Sequence, residues 1–156
     1  MVDLKSKFWL YLIINALIVI IAIMTPAITA YYSPGIALVW MWGASITSEE
    51  VWEPVLIPDH IFITGIIFLI LNLIGIVILL FTGLTSRKGI KNKKILMGLL
   101  LICGIILIAG SLTYNIIIGN YATGVSWGSY DPNFGSIGPI IAGILSIIGV
   151  WLSRKI

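Results

Sequence analysis

Four long apolar segments, separated by short polar stretches, form the pattern of hydrophobic and polar positions along this chain. They cover approximately residues 8–30, 61–84, 95–118 and 136–152. A helix of about 20 residues crosses the hydrocarbon core of a bilayer, which is about 30 Å thick. Runs of this length predict four transmembrane helices, even though isoleucine, which favours strands, occurs 34 times.

Composition agrees with this pattern. Of the 156 residues, 60% are apolar and only 10% are charged, whereas a soluble domain carries about 25% charged residues. A water-soluble globule and a disordered chain are therefore excluded. The predicted fold class is an all-α membrane protein in a single domain. It is a four-transmembrane-helix bundle with a structured outer cap formed by loops 31–60 and 119–135.

The charged residues are sorted along the chain. All nine basic residues fall in three places that four spans bring to one side: Lys5 and Lys7, 87–94, and 154–155. Acidic residues predominate on the other side, at positions 49, 50, 53, 59 and 131. By the positive-inside rule, both termini and the loop 86–94 are expected to be cytoplasmic, and loops 31–60 and 119–135 extracytoplasmic, in a multi-pass protein of the cell membrane. The basic stretch 87–94 either sets this topology or forms a dedicated lipid or partner site.

Close helix packing is predicted on the fourth span. Gly138, Ala142, Ser146 and Gly149 recur at helical spacing and form a stripe of small residues, which packs either within the bundle or against another subunit. Asn72 lies near the centre of the second span, where its amide needs a partner such as Ser146 or Asn15, or else lines a pore or binds a ligand.

The two outer loops are rich in aromatic residues. We expect an outer contact surface made of Trp40, Trp42, Trp52, Trp127 and Tyr130. The apolar stretch 36–42 is predicted to form an interfacial helix or a strand. Residues 47–50 fit a capping box for a one-turn helix that Pro54 ends, and loop 119–135 is predicted to be a compact turn or short hairpin.

Candidate chemistry is sparse. The residues that could bind a hard cation such as calcium are Glu49, Glu50, Glu53, Asp59 and His60. Helix capping and solvation explain the same residues, so no metal site is predicted. With one histidine and the single Cys103, no catalytic constellation, haem ligation or redox pair is recognisable, and we expect no cofactor. Nucleic acid is not an expected partner, because the basic residues lie beside membrane spans.

The layout of four helices with a long, Trp-containing first outer loop resembles that of claudin-type tetraspan proteins. Those proteins carry a Trp followed by Gly-Leu-Trp-Cys-Cys in this loop. Here the nearest string is Trp40-Met41-Trp42-Gly43, and both cysteines are missing, so the resemblance covers topology only. The high isoleucine content is similar to that of archaeal proteins, a likeness of composition alone.

The set of residue types inside and outside the predicted spans favours a non-enzymatic function. The residues of the outer loops are typical of contact surfaces. The span interiors contain no Asp, Glu, Lys, Arg or His. Proton-coupled pumps use such ionisable residues within the membrane. We expect an accessory subunit of a larger membrane complex or a tetraspan scaffold, with membrane lipids and other membrane subunits, or a second copy, as partners. The alternative is an oligomeric cation-conducting channel or transport component with an acidic outer mouth.

Overall fold

Four long helices make up most of the structure, a computed structural model that describes residues 4–32, 35–42, 45–49, 51–54, 59–89, 92–124 and 129–155. The helices are α1 (Leu4–Met24), α2 (Asp59–Arg87), α3 (Lys93–Gly124) and α4 (Phe134–Arg154). Each contains a stretch long and apolar enough to cross a membrane. The prediction of four such helices is therefore confirmed, and the chain is a mainly helical, multi-pass membrane protein.

The helices form a ring in the order α1–α2–α3–α4, in which α4 also contacts α1. Successive helices run in opposite directions. The centre of the ring is filled by apolar side chains with 0% exposure, among them Leu12, Leu79, Leu100 and Leu107. Large apolar residues on the outward faces, such as Ile21 and Val77, are more than half exposed, as expected of surfaces that meet lipid tails.

A five-stranded antiparallel sheet accompanies the helices, so the fold is mainly helical and not all-α as predicted. Its strands are β1 (Ile28–Tyr32), β2 (Gly35–Val39), β3 (Ser45–Glu49), β4 (Val51–Pro54) and β5 (Ser129–Pro132). They lie in the order β4-β3-β2-β1-β5. Each strand has four or five residues. Three of the four pairings join consecutive strands, and β1–β5 joins segments far apart along the chain.

The first helix ends earlier than predicted, at Met24 instead of about Ala30. Pro26 is the physical reason, because proline has no N–H to continue the helix and disfavours helical geometry in the residue before it. Thr25 closes the last turn: its N–H donates to Ile21 O at 3.1 Å and its hydroxyl donates to Ala22 O. The apolar residues that follow belong to β1.

Two further loop predictions are corrected. The one-turn helix expected at 47–50 is wrong, because Thr47 pairs with Ala37 on β2 and with Glu53 on β4. The stretch 36–42 contributes a strand, one of its two predicted alternatives. In the segment 119–135, α3 continues to Gly124, and β5 pairs with β1 instead of forming a local hairpin.

The sheet lies at one end of the bundle, since its strands connect the C-terminal ends of α1 and α3 with the N-terminal ends of α2 and α4. Alternate residues of β1 and β2 are buried, namely Ile28, Ala30, Ala37 and Val39. The described basic residues all lie at the opposite end, whereas the described acidic residues lie in the sheet or at the start of α2. The molecule therefore has a basic end and a sheet end.

Candidate functional site

The stripe of small residues on α4 lies inside the ring. Ala142 and Ser146 have 0% exposure, and Gly138 and Gly149 are also buried. A Cβ added at Gly138 would lie 2.7 Å from the Cβ of Ala22 on α1. These four residues therefore bring α4 against its neighbours within one chain and are not open to another subunit.

The crossing of α3 and α4 is the closest approach between these helices. A Cβ added at Gly104 would lie 2.9 Å from Gly143 O, and one added at Gly143 would lie 2.9 Å from Gly104 O. The two backbones meet directly because neither residue has a side chain, as in other membrane helix pairs with small residues at the contact. Neither Gly104 nor Gly143 was selected for this contact from the sequence.

A chain of polar contacts links all four helices near the middle of the bundle. The Asn15 amide of α1 donates to Ala142 O and to Ser146 Oγ of α4, both at 3.0 Å. Ser146 Oγ also lies 3.8 Å from Cys103 Sγ of α3, which in turn lies 3.6 Å from Gly75 O of α2. All these groups are neutral, so they offer hydrogen bonds but no charge to anything in the bundle.

Asn72 has a different environment from the one predicted. It is fully buried, but it meets neither Ser146 nor Asn15: its amide donates to Phe68 O of the preceding turn at 2.8 Å and lies 3.7 Å from Met41 Sδ. Within the described residues, its Oδ1 has no hydrogen-bond partner. Met41 follows β2 and has 0% exposure, so a residue outside the predicted spans is part of the bundle core.

Met41 also connects the sheet to α2 through its backbone. Its carbonyl oxygen lies directly over Gly65, where an added Cβ would collide with it. A second junction involves Gly135 at the start of α4, where a Cβ would lie 2.6 Å from Pro26 O and from Thr25 O. The backbone of the segments that flank the sheet strands therefore contacts the helices at Gly65 and Gly135, where there is no space for a side chain.

The predicted aromatic contact surface is only partly described. Trp40 donates its indole N–H to Met24 O at 3.1 Å, and its ring lies 6.2 Å from that of Trp42. Trp42 is 43% exposed, whereas Tyr130 is half-buried and its hydroxyl lies above Gly119. Trp127 and the side chain of Trp52 lie outside the described residues. The structure therefore places Trp42 at the surface, beside the junction of sheet and bundle.

Tyr31 of β1 adds a polar group to this surface that sequence reasoning did not select. Its side chain is exposed and its hydroxyl is hydrogen-bonded to the carboxylate of Asp131 on β5. This hydrogen bond, with smaller contributions from burial and from the negative charge, raises the pKa of the Tyr31 phenol above its usual value. The contact ties the two strands at the β5 edge.

The described cation candidates lie in β3, in β4 and at the start of α2. Glu49 is in β3, Glu53 is in β4 opposite Thr47, and Asp59 and His60 begin α2. Glu50 lies outside the described residues. In the part of the chain that the structure describes, no group of three His, Cys, Asp or Glu residues is arranged to hold a metal ion.

Together, the ring of four apolar helices and the five-stranded sheet at one end define a small polytopic membrane protein. No known protein family model matches the chain, and no curated protein matches it in sequence.

Proposed function

We propose that this protein is a non-enzymatic contact protein of the membrane, an accessory subunit of a larger complex or a scaffold, that uses its sheet end to bind another protein. The observation that carries the proposal is the edge position of β4, which pairs only with β3 among the strands that the structure describes. An unpaired edge can accept a strand from a partner. Both edges end in an acidic residue followed by proline, Glu53-Pro54 and Asp131-Pro132, which limits indiscriminate pairing.

The packing of the bundle supports the same function. The small-residue stripe and the Asn15 Nδ2 group are occupied by contacts within the chain. The surface left for specific recognition is the sheet end, where Tyr31, Ile36 and Trp42 are exposed. Aromatic residues that are rigid and partly apolar provide much of the binding energy in protein interfaces.

Sidedness is part of the proposal. The basic end carries Lys7, Lys88, Lys94, Arg154 and Lys155 among its described residues, and the positive-inside rule places such an end in the cytoplasm. The sheet then faces outward, and the partner is a membrane or extracytoplasmic protein.

Cysteine labelling tests this orientation. In intact cells, a membrane-impermeant maleimide is expected to label Asp131→Cys, which is exposed at the sheet end, and to label Lys155→Cys only after permeabilisation. Cys103 is fully buried and contributes little background in the folded protein. The reverse pattern, with Lys155→Cys labelled from outside, would place the sheet in the cytoplasm and contradict the proposed topology.

The contact function is tested by comparing two tryptophan variants at opposite ends. Trp42→Ala is expected to reduce co-purification of the partner from mild detergent about tenfold, because an interface tryptophan contributes roughly 1.4 kcal/mol or more. Trp151→Ala removes a tryptophan of similar exposure, 54% against 43%, at the basic end and is expected to retain the partner. Quantitative mass spectrometry of the purified complexes measures both.

Two results would overturn the proposal. One is a stable, partner-free monomer with intrinsic enzymatic activity. The other is a cation conductance of the pure protein in planar bilayers, which would support the oligomeric channel instead. Equal loss of the partner in both tryptophan variants would show that the sheet end is not the contact surface.

A further inference from the structure

A groove lies in the angle between the last turns of α2 and the first turns of α3, at the basic end of the molecule. Its cavity has a volume of about 320 Å³, within the range of about 300–1,000 Å³ that small-molecule sites occupy. The apolar part is lined by Phe81, Leu96 and Leu99, and the polar part by Ser86, Lys88 and Asn92. The sheet end and its proposed partner surface are at the opposite end of the helices.

The polar groups of this groove are hydrogen-bond donors. Ser86 lines the groove, and its Oγ has no hydrogen-bond partner among the described residues. Asn92 Oδ1 caps α3 by accepting from the N–H groups of Lys94 and Ile95, which leaves its Nδ2 hydrogens as the part that a ligand can use. Lys88 adds a cationic ammonium. A phosphate group, which only accepts, complements this set.

The electrostatic surroundings favour an anion. The groove opens beside the N-terminus of α3, where the helix dipole is positive, and Lys93 and Lys94 are exposed there. Gly89, with a φ of 102°, turns the chain and donates its N–H to Ser86 O, which satisfies one carbonyl at the end of α2. The described acidic residues lie at the other end of the bundle.

The apolar side of the groove opens towards the lipid-facing surface of the helices. Phe81 and Ile95, which lie on its two walls, are 58% and 59% exposed. A free phosphate would leave this apolar surface unused, whereas the acyl chains of a lipid would cover it. We infer that the groove between α2 and α3 binds an anionic phospholipid, with its phosphate at Ser86, Lys88 and Asn92 and its acyl chains along Phe81 and Ile95.

Native mass spectrometry of the detergent-solubilised protein tests the inference, with phosphatidylglycerol and phosphatidylcholine of identical acyl chains as probes. The wild-type protein is expected to bind phosphatidylglycerol about tenfold more tightly. The double variant S86A/K88Q is expected to lose about five- to tenfold of the affinity for phosphatidylglycerol and to bind phosphatidylcholine as before. Hydrogen exchange of residues 86–96 is expected to slow when phosphatidylglycerol is added.

Lys155→Gln is the matched control, because Lys155 is an exposed lysine at the same end that lies over the Trp151 ring, outside the groove. Its affinity for phosphatidylglycerol is expected to stay within about twofold of the wild type. An equal loss in this control would show diffuse attraction by the basic end and overturn the site. Equal binding of the two lipids, or binding of soluble glycerol phosphate as tight as that of phosphatidylglycerol, would also overturn it.

Discussion

Replacing Met41 with alanine is expected to lower the free energy of unfolding by about 2–5 kcal/mol, the usual cost of truncating a large buried apolar side chain. Met41 has 0% exposure and belongs to the core cluster, although it comes from a loop. Its truncation leaves a cavity between the sheet and the bundle. It also removes the sulfur atom that lies 3.7 Å from the Asn72 amide nitrogen. Sodium dodecyl sulfate titration of mixed micelles measures the change.

Cys103 provides the signal for this titration, because the thiol is fully buried and the chain has no other cysteine. A maleimide therefore reacts when the bundle opens. Met24→Ala is the matched control: Met24 is 71% exposed at the end of α1, and its truncation is expected to change stability by less than about 0.5 kcal/mol. Equal shifts in the two variants would show that the Met41 side chain is not part of the core.

The second large effect is expected at the crossing of α3 and α4. Gly104→Ala is expected to destabilise the protein by about 1–3 kcal/mol, because the new methyl group meets Gly143 O at 2.9 Å and Ile147 Cγ1 at 2.7 Å. The backbone carbonyl cannot rotate away, so the helices must separate. The same titration with Cys103 labelling measures the loss, and the neighbouring contact of Cys103 with Ser146 is expected to lengthen.

Gly98→Ala, on the same helix, is the control for the backbone effect of the substitution. No heavy atom lies within 4 Å of a Cβ added at Gly98. Since alanine favours a helix over glycine by about 1 kcal/mol, this variant is expected to be unchanged or more stable. The two glycine variants of α3 should thus shift the transition in opposite directions, and a common direction would contradict the observed crossing.

Much of the bundle was predictable from local sequence. Spans two and four differ from α2 and α4 by no more than three residues at either end, since an apolar run bounded by charges or turn residues marks a membrane helix by length alone. The stripe from Gly138 to Gly149 was visible because a helix repeats its faces every three to four residues. The spacing did not show which neighbouring helix each of these faces contacts.

The sheet was not predictable in the same way. Residues 28–30 continue the apolar run of α1, and hydrophobicity does not distinguish the last turn of a helix from the first strand of a sheet. Pro26 ends α1, and β1 pairs both with the neighbouring β2 and with β5, about a hundred residues away along the chain. Long-range pairing is information that one window of sequence does not contain.

The burial of Met41 in the core was also not predictable from the local sequence. It lies between two tryptophans in an outer loop, and nothing in the spacing of this loop indicates that the side chain enters the bundle. In the structure, Met41 meets α2 through its backbone at Gly65 and through its side chain at Asn72. The orientation of loop side chains depends on the elements they dock against, which the local pattern does not define.

The hydrogen bond from Asn15 to Ser146 joins residues 131 positions apart, on the first and last helices of the ring. During synthesis, at about 5–20 residues per second, α1 therefore waits on the order of ten seconds before α4 exists. Throughout this interval the Asn15 amide lies in the membrane without its final acceptors. The ring closes only when α4 joins α1, and an insertion factor that shields the Asn15 face of α1 would shorten the exposure of this amide to lipid.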